Sequence, residues 1–142
     1  MAQDTAEVPK EDRTSVKTIL VVEDDTANSA FLALAISQET RYHALLATDS
    51  LRALEVVRHI KPHLFVLDYR LPHLNGISLY EQLHAISGLE DVPAIILSAG
   101  FEECRDEIEA HKLVGLRKPF ALDEFLLAIE AALGKTLDPL PQ

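Results

Sequence analysis

The sequence predicts a doubly wound α/β domain built on five parallel strands. Three observations predict it. Five short, continuous apolar runs recur along the chain, and stretches with apolar residues at helical spacing separate them. A length of 142 residues, 48% of them hydrophobic, gives one domain enough material for a core. Short unbroken apolar runs suit strands covered on both faces. Strict alternation of strand and helix, with right-handed crossovers, puts helices on both sides of such a sheet.

The elements follow in order. Residues 1–17 are polar, mixed in charge and without periodicity, and read as a flexible leader. Ile19–Val22 is the first strand. Ala27, Ala30, Phe31, Leu34 and Ala35 stand at i, i+3, i+4, i+7 and i+8, which predicts the first helix and its packed face. Ala44–Ala47 is the second strand. Ala53, Leu54, Val57 and Ile60 mark the second helix, capped by Asp49 or Ser50. Leu64–Leu67 is the third strand, and Leu79, Leu83 and Ile86 mark a helix opening after Asn75 and Gly76. Ala94–Leu97 is the fourth strand, followed by a weaker stripe of Phe101, Cys104 and Ile108. Leu113–Leu116 is the fifth. Leu122, Phe125, Leu126, Ile129 and Leu133 mark the last helix, with Gly134 as its C-cap. The domain thus covers residues 18–134. Residues 135–142, with Pro139 and Pro141, read as a tail.

Composition excludes several functions. Thirteen Lys and Arg face 23 Asp and Glu, for a net charge of −10, and no cations cluster, so a nucleic-acid partner is not expected. No run approaches the roughly 20 apolar residues of a membrane span, and no secretory h-region opens the chain. The single Cys104 has no partner for an internal disulfide, which suits a cytoplasmic setting. Among six histidines, His59 and His63 stand four apart, but Pro62 breaks the helix that would align them. No Cys/His spacing supports zinc, and neither a dinucleotide nor a P-loop motif occurs. His73 falls in the loop after Asp68 and reads as solvated.

In a doubly wound sheet, ligands bind beyond the carboxyl ends of the strands. Glu23, Asp24 and Asp25 follow the first strand, Asp68 the third, Ser98 the fourth, and Lys118 with Pro119 the fifth. Carboxylates gathered there repel: two unit charges 4 Å apart cost about 4 kcal/mol at an effective dielectric near 20. A divalent cation offsets this, and a hard oxygen shell with room for waters and a phosphate oxygen suits Mg²⁺. Lys118 adds a point positive charge, Ser98 a hydroxyl donor, and a carboxylate can serve as nucleophile toward phosphorus.

These residues carry a resemblance. TILVVEDD at 18–25, HLFVLDYRLPHLNG at 63–76, AIILSAG at 94–100 and LRKPF at 116–120 are similar to the receiver domain of two-component response regulators. The similarity covers residues 17–134 and implies the flavodoxin-like (βα)5 fold. It implies Asp68 as phosphoacceptor. Asp24 becomes the main Mg²⁺ ligand, Glu23 holds a metal-bound water, and the backbone carbonyl of Arg70 completes the protein's share of the shell. Ser98 senses the phosphoryl group, and Lys118 pairs with its oxygens or with Asp68. The Lys118–Pro119 peptide is expected to be cis, Pro72 and Gly76 shape the loop after the acceptor, and Asp25 caps the first helix. The donor is a phosphohistidine on a sensor histidine kinase or a histidine phosphotransfer protein, which docks near Ala27 to Phe31. The implied role is signalling rather than enzymatic, with output through another protein. A stand-alone receiver, monomeric or weakly dimeric, is the expectation.

Two departures from the family pattern concern output. Gly115 stands where similar domains carry Tyr or Phe, and the stretch from Ser98 to Lys118 is about two residues short. Phosphorylation is therefore expected to persist with an altered or absent serine–aromatic switch. The alternatives are a docking module that works without phosphorylation and an aspartate-nucleophile phosphatase. The phosphatase wants a second Asp two residues after the nucleophile, where this chain has Arg70.

Overall fold

The computed structural model describes residues 16–100, 102 and 104–137. The expected leader up to residue 15, Phe101 and the tail from residue 138 lie outside the described residues. Five strands and five helices alternate: β1 (Thr18–Val22), α1 (Thr26–Glu39), β2 (His43–Ala47), α2 (Ser50–Val56), β3 (Leu64–Asp68), α3 (Gly76–His84), β4 (Ala94–Ser98), α4 (Arg105–Ala110), β5 (Val114–Arg117) and α5 (Leu122–Leu133). The sheet is wholly parallel, in the order β2-β1-β3-β4-β5. This is the doubly wound fold that the sequence predicts.

Alternation along the strands builds two apolar layers. Ile19, Val21, Leu64, Val66, Ile95 and Leu97 face α1 and α5, where Leu32, Ile36, Phe125 and Ile129 meet them. Leu20, Val22, Phe65, Leu67 and Ile96 face α2, α3 and α4, against Ala53, Val57, Ile77, Leu83 and Ile108. Each large side chain buried this way contributes about 1.5–3 kcal/mol relative to exposure. β1, β3 and β4 are buried throughout. The edge strands β2 and β5 are not, contrary to the expectation of five fully covered strands, because each has a neighbour on one side only. The fifth strand also starts one residue later than Leu113.

The helix ends follow local chemistry. Asp25 Oδ1 accepts from Asn28 N–H at 2.9 Å, and Asp49 Oδ1 from Arg52 N–H at 2.8 Å. Asn75 Oδ1 accepts from Ser78 N–H at 2.8 Å. These short polar side chains satisfy amide donors that the first turn leaves open. Asp49, not Ser50, is thus the cap of α2. At α5, the Glu124 carboxylate accepts from Ala121 N–H at 2.7 Å, and Gly134 ends the helix with φ 71°.

The expected packed face of α1 is corrected. Leu32, Ala35 and Ile36 are the buried residues, whereas Ala27, Ala30, Phe31 and Leu34 are exposed, Phe31 at 43% and Leu34 at 54%. Apolar residues nearly surround this helix, so spacing alone did not pick out the side that meets the sheet. Ile60 lies beyond the end of α2 and is exposed, Ile86 lies beyond α3, and Leu122 at the start of α5 is exposed.

Candidate functional site

Strand register assembles the site. Val22 of β1 pairs with Leu67 of β3, so the next residues, Glu23 and Asp68, emerge side by side. Asp68 lies opposite Leu97 of β4, which sets Ser98 one step beyond, and Lys118 N–H donates to the Ser98 carbonyl at 2.8 Å. Glu23, Asp24 and Asp68 consequently bring carboxylate oxygens within 4.8 Å of one another. Lys118 Nζ lies 3.1 Å from Glu23 Oε1 and 3.1 Å from Asp68 Oδ1. The Lys118–Pro119 peptide is cis.

A cleft of about 330 Å³ opens here, lined by Glu23, Asp24, Asp68, Arg70, Ser98 and Lys118 among others. Asp25, spent on the α1 cap, is also at its rim. Glu23 is 1% exposed, Asp68 is buried, and Asp24 is exposed. The Lys118 ammonium therefore bridges two of three neighbouring carboxylates. That donor set, all hard oxygen with two members buried, fits a divalent cation of the Mg²⁺ type.

The electrostatics carry the same imbalance. Burial pushes the Glu23 carboxyl up to about 7; the Asp68 charge adds to this, while the Asp25 N–H and Lys118 oppose it. For Lys118, burial works against the charged form, yet Asp68 and Glu23 outweigh it and hold the ammonium above its ordinary range. The metal-free folded state thus keeps a proton on Glu23 that the unfolded chain, with a carboxyl near 4.5, gives up earlier. This contribution to stability is complete below about pH 4.5 and fades as pH rises through about 7. A Mg²⁺ ion held there would compete with that proton, so the rise in melting temperature on adding saturating Mg²⁺ is expected to be larger at about pH 8 than at about pH 6. Equal rises in thermal unfolding scans would contradict it.

Two local features complete the site. Ser98 Oγ donates to the Gly100 carbonyl at 2.8 Å and accepts from Gly100 N–H at 3.1 Å, so the hydroxyl is engaged within its own loop. Gly76 N–H donates to Tyr69 O at 2.9 Å, and a Cβ on Gly76 would lie 2.5 Å from the Asp68 carbonyl oxygen. Gly76→Ala must therefore displace α3 or the Asp68 main chain, and is expected to cost about 1–3 kcal/mol in urea unfolding. Sequence reading saw Gly76 only as a loop residue; the Asn-Gly pair was the available signal.

The remaining candidates are placed as follows. Arg70 is exposed at the cleft, Pro72 and His73 are exposed in the loop after Asp68, and His73 has φ 73°. Gly115 lies in β5 opposite Ile96. His63 Nδ1 accepts from Thr18 N–H at 3.1 Å, a structural role. A second cleft of about 380 Å³, missed by sequence reading, adjoins the first and shares Glu23, Asn28, Ala99 and Lys118 with it. Phe31, Leu32, Pro119 and Phe120 give it apolar walls, with the Phe31 and Phe120 rings 6.2 Å apart.

Comparison with known proteins now bears on this geometry. The family profile of the response regulator receiver domain matches residues 19–130. Response regulator MprA of Mycobacterium leprae (strain TN) is 35% identical over 126 residues, covering 83% of this chain and 51% of that one. The chain thus spans about half the length of the curated relatives it matches. Among solved structures, Vibrio cholerae chemotaxis protein CheY4 is similar in fold, with a TM-score of 0.75 at 20% identity over 83% of this chain and 99% of that one. The receiver domain of sensor histidine kinase PA1611 from Pseudomonas aeruginosa PAO1, with a magnesium ion in its active site cleft, gives a TM-score of 0.75 at 24% identity over 84% and 99%. No helix among the described residues is long and apolar enough to cross a membrane.

Proposed function

Because the chain belongs to the response regulator receiver domain family, we propose that Asp68 accepts a phosphoryl group from a phosphohistidine. The observation that carries this reading is the meeting of three strand ends: Asp68 beside Glu23 and Asp24, with Lys118 at 3.1 Å. An Asp68 carboxylate oxygen attacks phosphorus, the P–O bond forms as the P–N bond breaks, and the imidazole nitrogen leaves with the bonding pair. Catalysis of such a transfer is mostly positioning and charge stabilisation. Lys118, already bridging Glu23 and Asp68, puts its ammonium where the phosphoryl oxygens gather charge. Glu23, Asp24, Asp68 and the Arg70 carbonyl would hold Mg²⁺, which supplies positive charge to the acid cluster and the phosphoryl group when bound.

Ser98 reaches the phosphoryl group only by giving up its bonds to Gly100. With Gly115 in place of a ring, that release has no aromatic partner in β5, and this supports an altered output switch. The exposed α1 stripe of Ala27, Ala30, Phe31 and Leu34, continuous with Phe120 at the apolar cleft, is the docking face for a histidine kinase or phosphotransfer protein. The role is cytoplasmic signalling through a downstream protein. Intact mass spectrometry after incubation with a phosphohistidine donor and Mg²⁺ tests the reading: a single phosphoryl adduct is expected. Its absence would favour docking without phosphorylation.

A further inference from the structure

Away from the acidic cleft, four side chains link α3 to the end of α4. His111 Nε2 lies 3.0 Å from Glu81 Oε2. The His111 ring meets the Tyr80 ring edge-on, centroids 5.3 Å apart, and Tyr80 packs on His84 at 4.0 Å. His84 Nε2 lies 2.6 Å from the Val92 carbonyl, just before β4. Both acceptors are oxygens without hydrogens, so each Nε2 carries a proton and each ring gains its second on Nδ1. α4 itself is six residues long, with no side-chain cap at its start.

We propose that Glu81, Tyr80, His84 and His111 form a proton-sensitive staple that fastens the C-terminus of α4 to α3 more tightly in mild acid. This goes beyond the phosphoacceptor reading and does not depend on it. Protonation turns the His111–Glu81 hydrogen bond into an ion pair. Several charged groups face the imidazoles. Glu81 faces them from α3, and Glu90 and Asp91 from the turn before β4, with Glu90 within electrostatic reach of His84. Lys112, which joins α4 to β5 at φ 57°, and the second imidazole are the cationic neighbours, and α5 brings Ala131 and Ala132.

Hydrogen exchange read by NMR tests this on the full chain. The Ile108, His111, Lys112 and Leu113 amides, bonded to Cys104, Glu107, Glu109 and Ile108 carbonyls, are the reporters. Corrected for intrinsic exchange, their protection is expected to rise about threefold from pH 7.5 to pH 5.5, the scale of a partly exposed ion pair. Glu81→Gln, on the surface, keeps the hydrogen bond but not the ion pair, and should flatten that rise; His111→Asn should do the same. Protection that does not change with pH in the wild type, or that rises equally in Glu81→Gln, overturns the proposal.

Discussion

Asp68→Asn is expected to take up no phosphoryl group, whereas wild type is expected to do so with a small-molecule acyl phosphate or a cognate kinase and Mg²⁺. The amide that replaces the carboxylate is not a nucleophile toward phosphorus, so the expected loss of label is at least about 100-fold. Poor folding would mimic this result, but the site argues against it. Asp68 shares the Lys118 ammonium with Glu23 and stands beside Asp24, and neutralising it removes repulsion as well as an ion pair. The variant is therefore expected to melt no lower than wild type without metal. Label on Asp68→Asn equal to wild type would place the acceptor elsewhere.

Lys118→Met is the second large effect. The ammonium bridges two buried carboxylates, and removing it leaves Glu23 and Asp68 against each other without a counter-charge. Breaking a buried pair by deleting one partner costs about 3–5 kcal/mol, and Lys118, partly exposed itself, puts the expectation near the lower figure. Mg²⁺ should restore most of that stability yet not the transfer, since the charge that meets the phosphoryl oxygens is gone. Glu23→Gln should do the opposite: it stabilises the metal-free protein near pH 8, where the wild-type group is a buried anion, and weakens Mg²⁺ binding. Urea unfolding with and without Mg²⁺ checks both. A Lys118→Met protein as stable as wild type without metal would show that the ion pairs contribute nothing.

Much of this was legible in the residues, for identifiable reasons. Strand runs such as LFVLD and AIILS are buried on both faces, so their composition announces them, and a parallel sheet puts the residue after each run at one edge. That is why Glu23, Asp68, Ser98 and Lys118 could be grouped before any coordinates. The face of α1 was not legible: TANSAFLALAISQE offers apolar residues on several sides, and only the sheet decides which are covered. The turn of the Ser98 hydroxyl toward Gly100 and the seating of Gly76 on the Asp68 carbonyl depend on loop conformation, which residue types leave open. The ring cluster joins His111 to Tyr80 and His84, 27 or more residues earlier, beyond the reach of spacing rules that sought histidines as metal ligands.

The outward turn of Phe31 and Leu34 has an evolutionary corollary. Inner and outer residues interleave along one helix: Leu32, Ala35 and Ile36 look to the sheet, and Ala27, Ala30, Phe31 and Leu34 look away from it. On the proposed docking face, recognition can therefore drift by substitution on the outer side with the fold unchanged. A duplicated copy of the domain could acquire a new correspondent through a handful of changes, each nearly neutral to folding.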